Sequence, residues 1–144
     1  MAARRRIDPA EGARAVRDWA AGVDRGDAPA SPAERAARRR TMATAVRFTL
    51  EELAACAPGR AVEVRVPPFG VTQAVSGTVH RRGTPPSVVE TERGTPPSVV
   101  ETDGATWLAL ATGRLGWGRA LADGALHASG ERCDISSHLP LMRA

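Results

Sequence analysis

Residues Thr106–Met142 read TWLALATGRLGWGRALADGALHASGERCDISSHLPLM, short apolar runs separated by glycines. Asp103, just upstream, is placed to cap a helix that runs to Thr112 and stops at Gly113. Trp117–Asp123 forms a second short helix, stopped by Gly124. Ala125–Ser129 then alternates, with Leu126 and Ala128 on one side and His127 on the other, which is a strand. Asp134 caps a terminal helix over ISSHL, with Pro140 just beyond.

The chain upstream is read with the same signals. Asp8-Pro9-Ala10-Glu11 starts a helix with the apolar stripe Val16, Trp19, Ala20 and Val23, expected to stop near Gly22. Asp24–Ala30 is a linker. Ser31-Pro32-Ala33-Glu34 starts a second helix to Ala57, with Met42, Val46, Leu50 and Leu53 on one face, Arg38–Arg40 solvated, and a break expected near Thr44. After Pro58-Gly59 the period changes. Ala61–Val66 alternates as a half-buried strand, Pro67-Pro68 ends it, and Gly70–Val79 reads as a second strand. Helices, strands, helices, strand and helix in that order predict an α+β fold with a mostly antiparallel sheet. The division expected is an N-terminal helix and linker over 1–30 and one domain over 31–144.

RGTPPSVVET occurs twice, at Arg82–Thr91 and Arg93–Thr102, with Glu92 between the copies. The unit of eleven residues is odd, so a second copy cannot lengthen a strand in register. Pro85-Pro86 and Pro96-Pro97 break any central ladder. Two units are too few for a solenoid. The second copy is placed to supply the strand at Val99-Val100-Glu101, because Asp103 follows it. The first copy then loops out or pairs as an edge hairpin, and the identity of the copies points to a recent tandem duplication.

All 20 basic residues are arginine, and the net charge is +4. Met1–Arg47 carries 11 Arg against 6 acids, whereas the remainder is slightly acidic, so the basicity belongs to the N-terminal third. An Arg- and Ala-rich composition is what a GC-rich genome produces. With aromatics at 3% and no nucleic-acid motif, a specific nucleic-acid partner is not expected. No apolar run reaches membrane-span length, and no apolar segment follows the basic start MAARRR, so neither a span nor a secretory signal is expected. Cys56 and Cys133 are read as free thiols in a reducing cytoplasm. His80, His127 and His138 have no metal-ligand spacing, no nucleophile elbow occurs, and the glycines form no phosphate loop. No catalytic residue, metal or cofactor is expected, and the chain reads as a non-enzyme.

Taken in order, Trp107–Leu110, Gly113-Arg114-Leu115, Ala120-Leu121, Gly124 and Leu126–Gly130 resemble the sterol carrier protein superfamily. Val46–Gly70 (VRFTLEELAACAPGRAVEVRVPPFG) is similar to the helix-to-first-strand junction of bacterial, especially actinobacterial, sterol-carrier-like proteins. The resemblance covers roughly Thr41 to Met142. It implies helices covering one face of a five-stranded sheet and enclosing an apolar tunnel, with the N-terminal helix as an addition. Relatives bind sterols, fatty acids or acyl-CoA esters without covalent chemistry.

The resemblance implies a tunnel lined by Trp107, Leu108, Ala111 and Leu115 from one helix and Trp117 and Leu121 from the next. Val71 and Val75 would contribute from the second strand, and Leu139, Leu141 and Met142 would close the end. The same spacing fits a solid core. The function expected is binding or carriage of a fatty acid, acyl-CoA or sterol-like lipid. The alternative is a small basic module with a solid core that docks a protein or nucleic acid through its Arg-rich third; peripheral contact with an anionic membrane is a further use of that end. Binding that resists salt but is lost on Trp107→Asp or Leu121→Asp would favour the lipid.

Overall fold

The computed structural model describes residues 4–77 and 98–144. The elements are α1 (Pro9–Arg25), α2 (Pro32–Cys56), β1 (Val62–Val66), β2 (Gly70–Ala74), β3 (Ser98–Thr102), α3 (Gly104–Ala111), α4 (Trp117–Ala122), β4 (Leu126–Ser129) and a 3-10 turn at Ser136–His138. The caps fall where the sequence puts them. The Asp8 carboxylate accepts from the Glu11 N–H at 3.1 Å, Ser31 Oγ from the Glu34 N–H at 3.1 Å, and Asp103 Oδ1 from the Thr106 N–H at 2.8 Å. Each satisfies a donor that the first helical turn leaves unpaired.

Three boundaries differ from expectation. α1 continues past Gly22 to Arg25, because Gly26 is the residue that takes the left-handed φ of 68° and returns its N–H to the Gly22 and Val23 carbonyls. α2 runs unbroken through Thr44; the burial of Ala45, Val46, Phe48, Thr49, Leu50 and Leu53 outweighs weak local propensity. The terminal helix is only the 3-10 turn, where Asp134 Oδ1 accepts from the Ser136 N–H and the turn ends at Leu139, before Pro140.

The sheet among the described residues has four strands in the order β2-β1-β3-β4, not five. It is mixed rather than mostly antiparallel: β1 pairs antiparallel with β2, parallel with β3, and β3 pairs antiparallel with β4. β2 returns directly through the turn at Pro67-Pro68. The chain between β2 and β3 is long enough to pass β1 and enter beside it in the same direction. Val62, Val64, Val66, Ala74 and Val100 face the helices, while Arg65, Gln73, Glu101 and His127 lie on the exposed face. β2 stops at Ala74 because Val75 turns to φ 66°, donating to the Ala57 carbonyl and accepting from the Ala61 N–H. The expected continuation to Val79 extends beyond the described residues, as do His80 and the first copy of the repeat. α2 covers β2 and α3, and α1 lies against α2.

The second copy supplies β3, and Asp103 caps α3 directly after it. Deleting residues 82–92 therefore leaves every described contact in place and shortens the connection from Gly77 to Ser98 by about half. A halved connection changes closure free energy by about 0.6 kcal/mol. The expected result is a melting temperature unchanged or raised by about 3 °C at most, by calorimetry. A fall of several degrees would show that the first copy carries structure of its own.

Candidate functional site

The residues expected to line a tunnel fall into three groups. Trp107, Leu108 and Ala111 have no exposure and pack in the core. Val75, Leu115, Trp117, Leu139, Leu141 and Met142 are half-buried against that core. Val71 and Leu121 are exposed, at 57% and 43%. Leu115 lies beyond the end of α3 rather than on it, and the buried residue of α4 is Ala120. Both the Leu141 and Met142 N–H groups donate to the Ala111 carbonyl, which seats the C-terminal segment on the end of α3.

Two of the clefts formed by the described residues bear on a site. One, of about 560 Å³, lies between α1 and α2 around Trp19, Val23 and Met42. Its arginines, Arg25 and Arg38, are both paired with carboxylates of the same cleft. Arg38, expected to be solvated, is half-buried and bonded to both Asp27 and Glu34, because the linker folds Asp27 back onto α2. The Arg38 hydrogen bond holds the Asp27 carboxyl below its usual range; for Glu34 the Ala30 N–H does most and Arg38 adds to it.

The larger cleft, of about 1100 Å³, lies between the segment Arg4–Ile7, α2 and the edge strand β2. Ile7, Leu50, Phe69 and Val71 give it an apolar floor, and Arg4, Arg5, Arg6 and Arg47 line it with Glu51. The Glu51 carboxylate accepts the Arg6 N–H at 2.9 Å and the Ile7 N–H at 3.3 Å, so it pins the segment to α2. Arg5 pairs with Glu52. Arg47 Nε donates to the Phe69 carbonyl at 2.9 Å, and the Arg39 guanidinium lies 5.6 Å from the centre of the Phe69 ring. Among the described residues, Arg4, Arg6 and Arg47 form no ion pair. An apolar trough with unpaired cations at its rim is suited to a ligand with an apolar body and an anionic end.

Of the residues expected at a site, only Val71 belongs to this cleft. Arg4–Arg6 read in the sequence as a basic tail, and Arg47, Leu50 and Phe69 as parts of separate elements. The one local signal was Ile7, an apolar residue directly before the α1 cap, at the position from which a chain entering a helix packs back onto its neighbours.

No helix of the described residues is long and apolar enough to cross a membrane. No curated protein matches the chain. A family model described as bacterial SCP ortholog matches residues 38–93 and 90–141. The two segments overlap at 90–93, inside the duplicated stretch, and α1 and Arg4–Ile7 precede both. The match spans α2 from Arg38 onward, the sheet, α3, α4 and the C-terminal turn, and on that ground the chain belongs to the bacterial SCP ortholog family.

Proposed function

We propose that the protein binds and carries an apolar ligand, a fatty acid, acyl-CoA ester or sterol-like lipid, without covalent chemistry. The observation that carries this reading is the larger cleft, open at the edge of the sheet and floored by Ile7, Leu50, Phe69 and Val71. Family membership supports a carrier role. An internal tunnel past Trp107, Leu108 and Ala111 would be a separate site, sharing only Val71 with the cleft. To reach it a ligand would displace the half-buried Leu115, Trp117, Leu139, Leu141 and Met142, whereas the cleft is open as it stands. Each ligand methylene removed from water contributes about 0.8 kcal/mol.

Native mass spectrometry of the protein as purified, beside an organic extract of the same sample, tests the reading. A stoichiometric lipid-sized adduct absent from a mock purification is expected. A bare mass that takes up no added fatty acid, acyl-CoA or sterol would overturn it. The competing use of the Arg-rich third as a docking module is less well supported, because Arg5, Arg25 and Arg38 are paired within the chain. Binding governed by that third would fall steeply with salt and vanish on removal of residues 1–40.

A further inference from the structure

The larger cleft has walls of two origins. Arg47, Leu50 and Phe69–Thr72 fall within the residues the family model matches, and Arg4–Ile7 lies outside them. The added wall is held in place by two backbone N–H donations to the Glu51 carboxylate, one to each oxygen, and that single negative charge is outnumbered by the arginines lining the cleft. Arg5 is drawn off to Glu52, leaving Arg4 and Arg6 to face the cleft with Arg47. Arg47 is itself fixed through Nε to the Phe69 carbonyl, and its terminal nitrogens form no hydrogen bond to a described residue. The result is guanidinium groups from two separate segments bordering one apolar floor, with three of them, Arg4, Arg6 and Arg47, outside any ion pair among the described residues and Glu51 the one carboxylate among the described lining residues.

We propose that this cleft selects an amphiphile by its anionic head group, carboxylate or phosphate, which Arg4 and Arg6 hold against Arg47. The ligand's chain lies along Ile7, Leu50 and Phe69. This rests on the lipid-binding reading and narrows it, since an uncharged sterol-like lipid would leave the cations without a partner. Guanidinium groups bind carboxylate and phosphate oxygens in pairs, and charge-assisted bonds of this kind are the strong ones.

The test measures displacement of a fluorescent lipid probe from the full chain by palmitate, hexadecyl phosphate and hexadecanol, which share one chain and differ in the head. The two anions are expected to bind at least about tenfold more tightly than the alcohol at low salt. Arg6→Ala with Arg47→Ala is expected to bring the three within about twofold of each other, through weaker binding of the two anions, with the fold retained by far-ultraviolet circular dichroism; both side chains are exposed. Equal binding of all three ligands by the unaltered protein, or a preference that survives the double substitution, would overturn the proposal and leave lipid binding standing. Inorganic phosphate displacing the probe as well as hexadecyl phosphate does would also overturn it, as a site for free anions. If no amphiphile displaces the probe, the lipid-binding reading falls and this proposal with it.

Discussion

Trp107→Ala is expected to lower the free energy of unfolding by about 3–5 kcal/mol, the usual range for removing a large aromatic side chain from a core. Trp107 is fully buried near the middle of α3, and its Nε1–H donates to Thr49 Oγ1 at 2.8 Å. That hydroxyl lies 2.8 Å from the Ala45 carbonyl and donates to it, so one buried oxygen joins α3 to α2 and closes on the helix backbone. A domain of this size is stable by about 5–15 kcal/mol, so the substitution removes about a fifth of the total or more. Urea unfolding followed by far-ultraviolet circular dichroism measures it. Thr49→Val makes the polar part separable. It keeps the shape but leaves the indole N–H buried without an acceptor, at a cost of about 1–3 kcal/mol. In the Trp107→Phe background, where no indole remains, the same change should cost less. Equal costs in both backgrounds would show that the bond contributes nothing.

The position of Trp107 also alters how a binding test is read. Trp107→Asp would put a carboxylate at a site with no exposure, and loss of the fold would account for any loss of binding. Leu121→Asp, at a residue 43% exposed, does not have that defect.

Much of the fold could be read from local chemistry. The caps at Asp8, Ser31 and Asp103, the stops at Gly113 and Gly124, and the alternation of Val62, Val64 and Val66 are signals whose physics is complete within a few residues. Strand direction is not such a signal. Val100 alternates identically whether β3 runs with β1 or against it, and the mixed sheet follows from where the chain crosses, which no short window contains. The continuity of α2 through Thr44 was hidden for a related reason, since propensity is local and the burial that overrides it is not.

The candidate site was less legible than the fold. Helical spacing of Trp and Leu is the same for a packed core and for the wall of a cavity, and Trp107, Leu108 and Ala111 are core. The cleft depends on a carboxylate at Glu51 receiving the backbone of Arg6 and Ile7, more than forty residues earlier in the chain. An arginine run at a chain start reads as a solvated tail until that contact is known.

Gly12→Val is the second large effect expected, at about 3 kcal/mol. Gly12 is buried on α1 where it crosses α2. A Cβ there would overlap Cγ and Cδ1 of Phe48 and lie 2.7 Å from its Cβ. The Phe48 Cβ is fixed by the α2 backbone, so no ring rotation clears the space, and the helices themselves must separate. Overpacking of this kind costs about 1–3 kcal/mol, and occasionally more, and the two γ-methyl groups of valine place the cost at the upper end. Phe48→Ala alone should cost about 3–5 kcal/mol by leaving a cavity. The double variant should be less destabilised than the sum of the two by about 1–3 kcal/mol, because the valine fills part of the space the phenylalanine leaves. Strict additivity would place the two residues out of contact. The same titration asks what α1 is to the rest. It precedes the residues matched by the family, yet Val16 and Trp19 are buried in the same core as Leu53 and Val64. If α1 is a working part of that core, Gly12→Val lowers one shared unfolding midpoint, reported alike by circular dichroism and tryptophan fluorescence. A helix merely appended would detach first, and the two probes would separate.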